Sequence, residues 1–470
     1  MACGGPGPAD TDGAVPPDGS VPGDGDGGAA EGCPGLSPLS EPPEQLYVAA
    51  DGSDDDAGTE AAPLASLAEA ADRFPDGGTV IVRGGVYGPQ RLDARGTTSH
   101  PLVIRAAAGE VPIFDGETIT NSWSGVIYLW SAEHVVLQGL EIRNCRADHC
   151  AGIASSPVLD LSVRECHIHH VDGPAARFAG KTLRFEGNHF HDVALTNEDN
   201  TAYPEGGWPT CMGTTPDRDQ PDAPLTDDVV IRNNRIEDCW GEGIGIWFAS
   251  HVLVEGNVVD NAFSVGIYMD NSFDVVVSRN FVRVVRGRNG SHGSGILMGT
   301  EGYAAWGLQP SSSHAIAISN NVVVAGRGIG WWRSPEGTDA NRYEGIDVLH
   351  NTVVATARSA LGFAEVGGGP PPPSNCRAVN NVLAEVEDGD LGDPAAWSLA
   401  GNAWLDETTP PIAGPTDVAI DAAVGTVASA EDVAHLAEVV GSGEPGTGID
   451  GDYRCRSRDA TAPTRGAFEP

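Results

Sequence analysis

The chain has 470 residues, 40% of them hydrophobic, with 66 acidic against 27 basic residues and a formal net charge of −39. Nucleic acid and anionic membrane surfaces select Lys and Arg, so this balance excludes both as partners. No run reaches the apolar length of a membrane span.

Residues 1–45 are mostly Gly, Pro, Asp and Ala, a composition that buries too little apolar surface to fold, and they are predicted to form a disordered leader or tether. Met-Ala-Cys-Gly-Gly at the start is similar to the residues around a bacterial lipoprotein cleavage site. That similarity implies lipidation of Cys3, the one route to a membrane expected here.

An ordered domain is predicted over 46–470. In its first part Leu64, Leu67, Ala71 and Phe74 share one helical face after Pro63, and Gly77-Gly78 ends the helix before the strand TVIVRGGVY. A short amphipathic helix there caps the open end of a β structure, whose bare edge invites pairing with another chain.

From Val135 to about Asn402 one phrase recurs, β-branched alternation followed by Asn and then a Gly-Ile step. It reads VVIRNNRI (229–236), VLVEGNVV (252–259), VVVSRNFV (275–282), IAISNNVV (316–323), IDVLHNTVV (346–354) and CRAVNNVL (376–383). Asn234, Asn257 and Asn280 recur every 23 residues, and Asn321, Asn351 and Asn381 every 30. A fixed period means stacked supersecondary units. Val and Ile dominate where a leucine-rich solenoid places Leu, and no unit contains a helix-length segment. The fold class predicted is therefore all-β, a single right-handed parallel β-helix (solenoid) with a capping helix, its asparagines stacked into a ladder.

Two segments break the repeat and are predicted as loop insertions, near 194–228 and 300–314. Nine cysteines include no CxxC pair. Cys145 and Cys166 fall at the edges of neighbouring coils and Cys211 is within reach of Cys239, which fits disulfides in an oxidising compartment. His167, His169 and His170 occupy the same repeat positions as His189, His191 and Asp192 one coil on, an arrangement able to bind a transition metal or simply to form an outer-face ladder.

In the Gly-Ile strands GIGIW (243–247), GIYMD (266–270), GILMG (295–299) and GIGWW (328–332), inward Ile, Met or Trp alternates with outward residues. This places Trp247, Tyr268, Asp270, Leu297, Trp332 and Arg333 on one exposed face. Trp247, Tyr268, Trp332 and Asp238 are the predicted substrate-binding residues, because flat rings pack on sugar faces and charged groups bind hydroxyls or carboxylates. Carboxylates one or two coils apart are separated by about 5–10 Å, a distance that glycoside hydrolysis uses. Asp270 and Glu301 are also the predicted ligands of a Ca²⁺ ion.

The opening stretch 46–92, PLVIRAAAGEVPIFDG (101–116) and the ending IDGDYRCRSRDATAPTRGAFEP (449–470) together resemble secreted bacterial right-handed β-helix proteins of the pectate-lyase-like superfamily, which includes many polysaccharide lyases. The resemblance implies an extracellular or cell-surface monomer that acts on a polysaccharide, by β-elimination or hydrolysis. β-Helix lyases commonly use Lys or Arg as base with Ca²⁺ or Arg on the uronate carboxyl. Lys181, the single lysine, lies away from the aromatic column, so proton transfer is assigned to Glu242, Asp270, Glu301 or His292, and charge neutralisation to Arg333. The competing expectation is a noncatalytic glycan-binding or adhesin-like surface protein.

Overall fold

A computed structural model describes residues 33–469 except 156, 199–209, 217–224, 285–292, 304–307, 309–311, 334–342, 364–372, 388–390, 392–393, 406–413 and 423. The expectation for Cys3 and that for His292 lie outside the described residues. All strand pairings between named strands are parallel, in one sheet of 22 strands and one of 13. They wind into a right-handed parallel β-helix.

Among the described residues most coils carry three strands where the repeat suggested two. In one coil a first-face strand (Ala249–Glu255) precedes the repeat asparagine Asn257, a short second-face strand (Val258–Asp260) follows it, and a third-face strand (Val265–Asp270) carries the Gly-Ile step. The short second strand escapes detection because three residues give too few alternations to register a period.

The sharp corner between first and second faces has a stereochemical cause. The residue before each ladder asparagine is left-handed: Asn233 (φ 54°), Gly256 (67°), Arg279 (55°), Asn320 (56°), His350 (54°), Asn380 (59°) and Gly401 (66°). Asn and Gly tolerate that region best, which accounts for most of these choices. The asparagine then turns inward. The Asn257 backbone N–H and Nδ2 both donate to Asn280 Oδ1 at 2.9 Å, its Nδ2 also reaches the Ile231 carbonyl at 2.9 Å, and its own Oδ1 accepts twice from Asn234 at 2.9 Å. The same pattern runs from Asn188 to Asn402. Asp417 ends it by accepting from the Asn402 N–H at 2.9 Å, and at the other end the Cys166 N–H donates to Asn188 Oδ1 at 3.0 Å.

The helix Leu67–Arg73 covers the first coil with Leu67, Ala70 and Ala71 buried, and the Ser66 hydroxyl caps it by accepting from the Glu69 N–H at 3.1 Å. Phe74 is the C-cap rather than part of the helix, and Leu64 is buried in a bridge to Val48. The other end closes through the chain terminus, where the buried Arg458 guanidinium donates to Asn320 Oδ1 (2.7 Å), Glu469 Oε1 (2.8 Å), the Gly466 carbonyl (2.9 Å) and the Thr464 carbonyl (3.1 Å). Among the described residues no helix is long and apolar enough to cross a membrane.

Three expectations need correction. Residues 33–44, read as leader, lie along the coils: the Ser37 hydroxyl donates to Glu186 at 2.8 Å, Arg164 donates to the Ser37 carbonyl at 3.0 Å, and Arg105 pairs with Glu41 at 3.0 Å. Burial of Glu186 beside that strap, not apolar content, holds it, so composition missed it. Cys33 is disulfide-bonded to Cys455, Cys145 to Cys150 and, as its position allowed, Cys211 to Cys239, while Cys166 and Cys376 are buried thiols. The 194–228 stretch is not wholly an insertion, since Thr210–Thr214 forms the third-face strand of its coil and pairs with Glu242–Trp247.

Asn257→Ala leaves the Asn234 backbone N–H without its acceptor and the Ile231 carbonyl without the Asn257 amide, in a buried corner. It is expected to lower unfolding free energy by about 3 kcal/mol, read from urea denaturation.

Candidate active site

Third-face register decides which outward side chains meet. One outward row aligns Gly245, Tyr268, Leu297 and Gly330, and the next aligns Trp247, Asp270, Gly299 and Trp332. Ile244, Ile246, Ile267, Met269, Ile296, Met298, Ile329 and Trp331 point into the core. A glycine stands beside two of the rings, Gly245 next to Tyr268 and Gly299 next to Trp332. Gly299 shows the need: a Cβ there would collide with the Tyr268 hydroxyl and come within 2.9 Å of Trp332 Nε1.

Those two atoms are hydrogen-bonded, Trp332 Nε1 donating to the Tyr268 hydroxyl at 2.7 Å, and that hydroxyl donates onward to Glu301 Oε1 at 2.7 Å. The strand Ser294–Thr300 ends at Thr300, and the chain folds back across Asp270. The Glu301 N–H donates to Asp270 Oδ1 at 3.0 Å and Asn271 Nδ2 donates to the same oxygen at 2.9 Å. Tyr303 then bridges the two carboxyls, 2.5 Å from Asp270 Oδ2 and 2.9 Å from Glu301 Oε2. Its ring packs on Trp247 at 5.0 Å and on Phe248 at 5.6 Å.

Two carboxyls joined through one hydroxyl cannot both ionise cheaply. Burial and the charge of Glu301 push Asp270 well above the usual carboxylate range, and burial raises Glu301. Burial, then the charges of Asp270, Glu301, Tyr303 and Glu242, raise the Tyr268 phenol as well, so all these groups favour their protonated forms. The Tyr303 hydroxyl has one proton, so between Asp270 Oδ2 and Glu301 Oε2 it donates to one and accepts from the protonated other, while Asp270 Oδ1 accepts from two N–H groups and Glu301 Oε1 from the Tyr268 hydroxyl. A Ca²⁺ shell needs further oxygen ligands facing ionised carboxylates, so the donor set here fits proton sharing better than it fits that ion.

The structure thus brings together Asp270, Glu301, Trp247, Tyr268 and Trp332 from the sequence-derived set. Glu242 opens the strand Glu242–Trp247 on the same face, close enough for its charge to reach Tyr268. Asp238 stands elsewhere, exposed at the left-handed corner (φ 46°) after the second-face strand, where Asn261 donates to it at 2.5 Å. Arg333 aligns with Thr300 through its backbone, and its side chain lies outside the described residues. The face is not an open ledge: Tyr268, Leu297 and Asp270 are 6%, 8% and 1% exposed, leaving Trp247, Trp332, Glu301 and Tyr303 partly accessible. Sequence reasoning missed Tyr303 and Asn271. The available signal was Glu-Gly-Tyr directly after a Gly-Ile strand, which sets a phenol two residues beyond an acid at the coil edge.

Fold and site together define a right-handed parallel β-helix protein with a buried carboxyl pair on its third face. The family described as Pel9A-like, right handed beta helix region matches residues 46–203, and that described as right handed beta helix region matches 225–357. The chain is 38% identical over 113 residues to pectate lyase PEL9 of Emericella nidulans, 21% of this chain and 28% of that protein. It is 25% identical over 164 residues to the uncharacterized protein YwoF of Bacillus subtilis, 34% of this chain and 31% of that one. The chain therefore matches less than a third of the length of either relative. A solved complex of XylC with xylose shares the fold at a TM-score of 0.53 and 11% identity, over 90% of this chain and 98% of that one.

Gly299→Ala is expected to displace the Tyr268 hydroxyl from Trp332 and to destabilise by about 1–3 kcal/mol. The check is a lowered melting temperature accompanied by a shifted tryptophan emission. Unchanged values of both would contradict the packing described.

Proposed function

We propose that the chain is a secreted or surface-held carbohydrate-active enzyme that cleaves an extracellular polysaccharide at a glycosidic bond, with Glu301 as the proton donor. The observation carrying this reading is the Asp270–Tyr303–Glu301 bridge beside Trp247 and Trp332. Breaking a glycosidic bond near neutral pH requires an acid that keeps its proton there, and burial with a second carboxyl is how proteins arrange one. Glu301 is the partly accessible member and faces substrate, while Asp270, 1% exposed, is a positioning group that holds the Glu301 proton in place. Glu242, half-buried on the same face, is the carboxylate left to activate water. Trp247 and Trp332 offer the ring faces on which sugars pack.

Hydrolysis of a neutral or weakly charged glycan is favoured over β-elimination of a polyuronate. A chain of net charge −39 repels a polyanion. The name of the Emericella relative, a pectate lyase, supports polysaccharide as the substrate class. The Pel9A-like match ends at residue 203, before the strands that build the pair, so its reaction is not transferred with it.

Glu301→Gln is expected to reduce release of reducing ends from a glycan panel by about 10²–10⁴-fold while glycan binding persists through the rings. Because the acid must be protonated, activity falls as pH rises through the Glu301 pKa that burial raises. A chelator leaves the rate unchanged. If the wild type releases neither reducing nor unsaturated ends from any polymer tried yet binds one, the noncatalytic glycan-binding reading replaces this one.

A further inference from the structure

The second face carries a cluster that the proposed reaction does not use. Strands His167–Val171 and His189–Val193 pair in parallel, aligning His167 with His189 and His169 with His191. The rings stack, His167 on His189 at 5.0 Å and 6°, and His169 on His191 at 4.9 Å and 5°. His167 Nε2 and His191 Nε2 are 2.8 Å apart.

The tautomers follow from the neighbours. Asp192 lies 2.8 Å from His191 Nδ1, so that nitrogen carries the proton and the His191 Nε2 lone pair faces His167. His167 must then donate from Nε2, which leaves its Nδ1, buried, with no hydrogen-bond partner among the described residues. His189 is in turn oriented by Glu237, 3.0 Å from its Nε2. Carboxylates that fix the far or near nitrogen of an imidazole are the usual outer partners of metal-binding histidines.

We propose that His167, His189 and His191 form a binding site for a borderline transition-metal ion of the Zn²⁺ class, with ligands drawn from two adjacent coils. One ring nitrogen from each lies within 4.8 Å of the others. The ion takes the place between His167 Nε2 and His191 Nε2 where a proton is now shared, that proton moves to His167 Nδ1, and small rotations about the soft terminal torsions bring the lone pairs to one point. Three imidazoles suit Zn²⁺, Co²⁺, Ni²⁺ or Cu²⁺ rather than the hard, oxygen-seeking Ca²⁺ or Mg²⁺. The fourth position falls to water or to Glu237. Parallel strands supply the ligands, so the site is rigid, and an ion there staples one coil to the next. This proposal is independent of the reaction assigned to the third face.

The test uses the tag-free full chain, stripped with chelator and titrated with Zn²⁺ by calorimetry and with Co²⁺ by visible absorption. A single equivalent binding with Kd on the order of 1 μM or tighter, with the intense bands of nitrogen-ligated tetrahedral Co²⁺, is the result expected. His167→Gln with His191→Gln removes that equivalent, whereas Asp270→Asn keeps it. Absence of saturable binding, a weak octahedral Co²⁺ spectrum typical of surface carboxylates, or full binding by a folded double variant each overturns the proposal. The wild-type Co²⁺ spectrum decides the matter alone if the double variant does not fold.

Discussion

Coil-on-coil register is the constraint on which everything else in this molecule depends. A parallel ladder repeats each position directly above its equivalent, and the buried asparagine corner locks that repeat by joining backbone and side chain of one coil to a single oxygen of the next. Slippage by one residue would break these bonds and would exchange core for surface along the whole strand. A buried polar corner therefore acts as the register pin, where apolar packing alone would tolerate alternatives.

The acid pair is a product of that register. Asp270 and Gly299 are lateral neighbours, so the residues just past the end of the Ser294–Thr300 strand emerge beside Asp270, and a chain that turns back there must set Glu301 and Tyr303 against it. Gly299 opens the space in which the Tyr268 hydroxyl meets Trp332 Nε1. The site is thus assembled from residues 64 positions apart in sequence, Tyr268 and Trp332, that are close only because two coils separate them. The histidine cluster on the second face follows the same logic one strand over, with equivalent positions of adjacent coils filled by the same residue type.

Much of this was legible in the amino-acid sequence, because a solenoid writes its contacts as a period. The Asn repeat announced the β-helix, the alternation in Gly-Ile strands named Trp247, Tyr268, Asp270 and Trp332 as neighbours, and Glu301 followed from its place after the strand. What was not legible depends on excursions from the period. Tyr303 folds back over Asp270 from a loop, and no repeat position corresponds to it. The same fold-back hides the face that alternation alone describes as exposed. Asp238 was misplaced because its left-handed corner turns it away from the third face. The strap at residues 33–44 and the Cys33–Cys455 bond join distant segments outside the repeat altogether.

The central claim is that stacking makes Asp270 and Glu301 one proton-sharing unit rather than two independent acids. Infrared difference spectra between the wild type and the Asp270→Asn and Glu301→Gln variants, recorded across pH, test it directly through the carbonyl stretch of a protonated carboxyl. The account predicts a protonated-carboxyl band that survives well above the ordinary carboxylate pKa of ~4 and is altered by either substitution. Two carboxyls losing their protons together within that ordinary range, each indifferent to removal of the other, would contradict it.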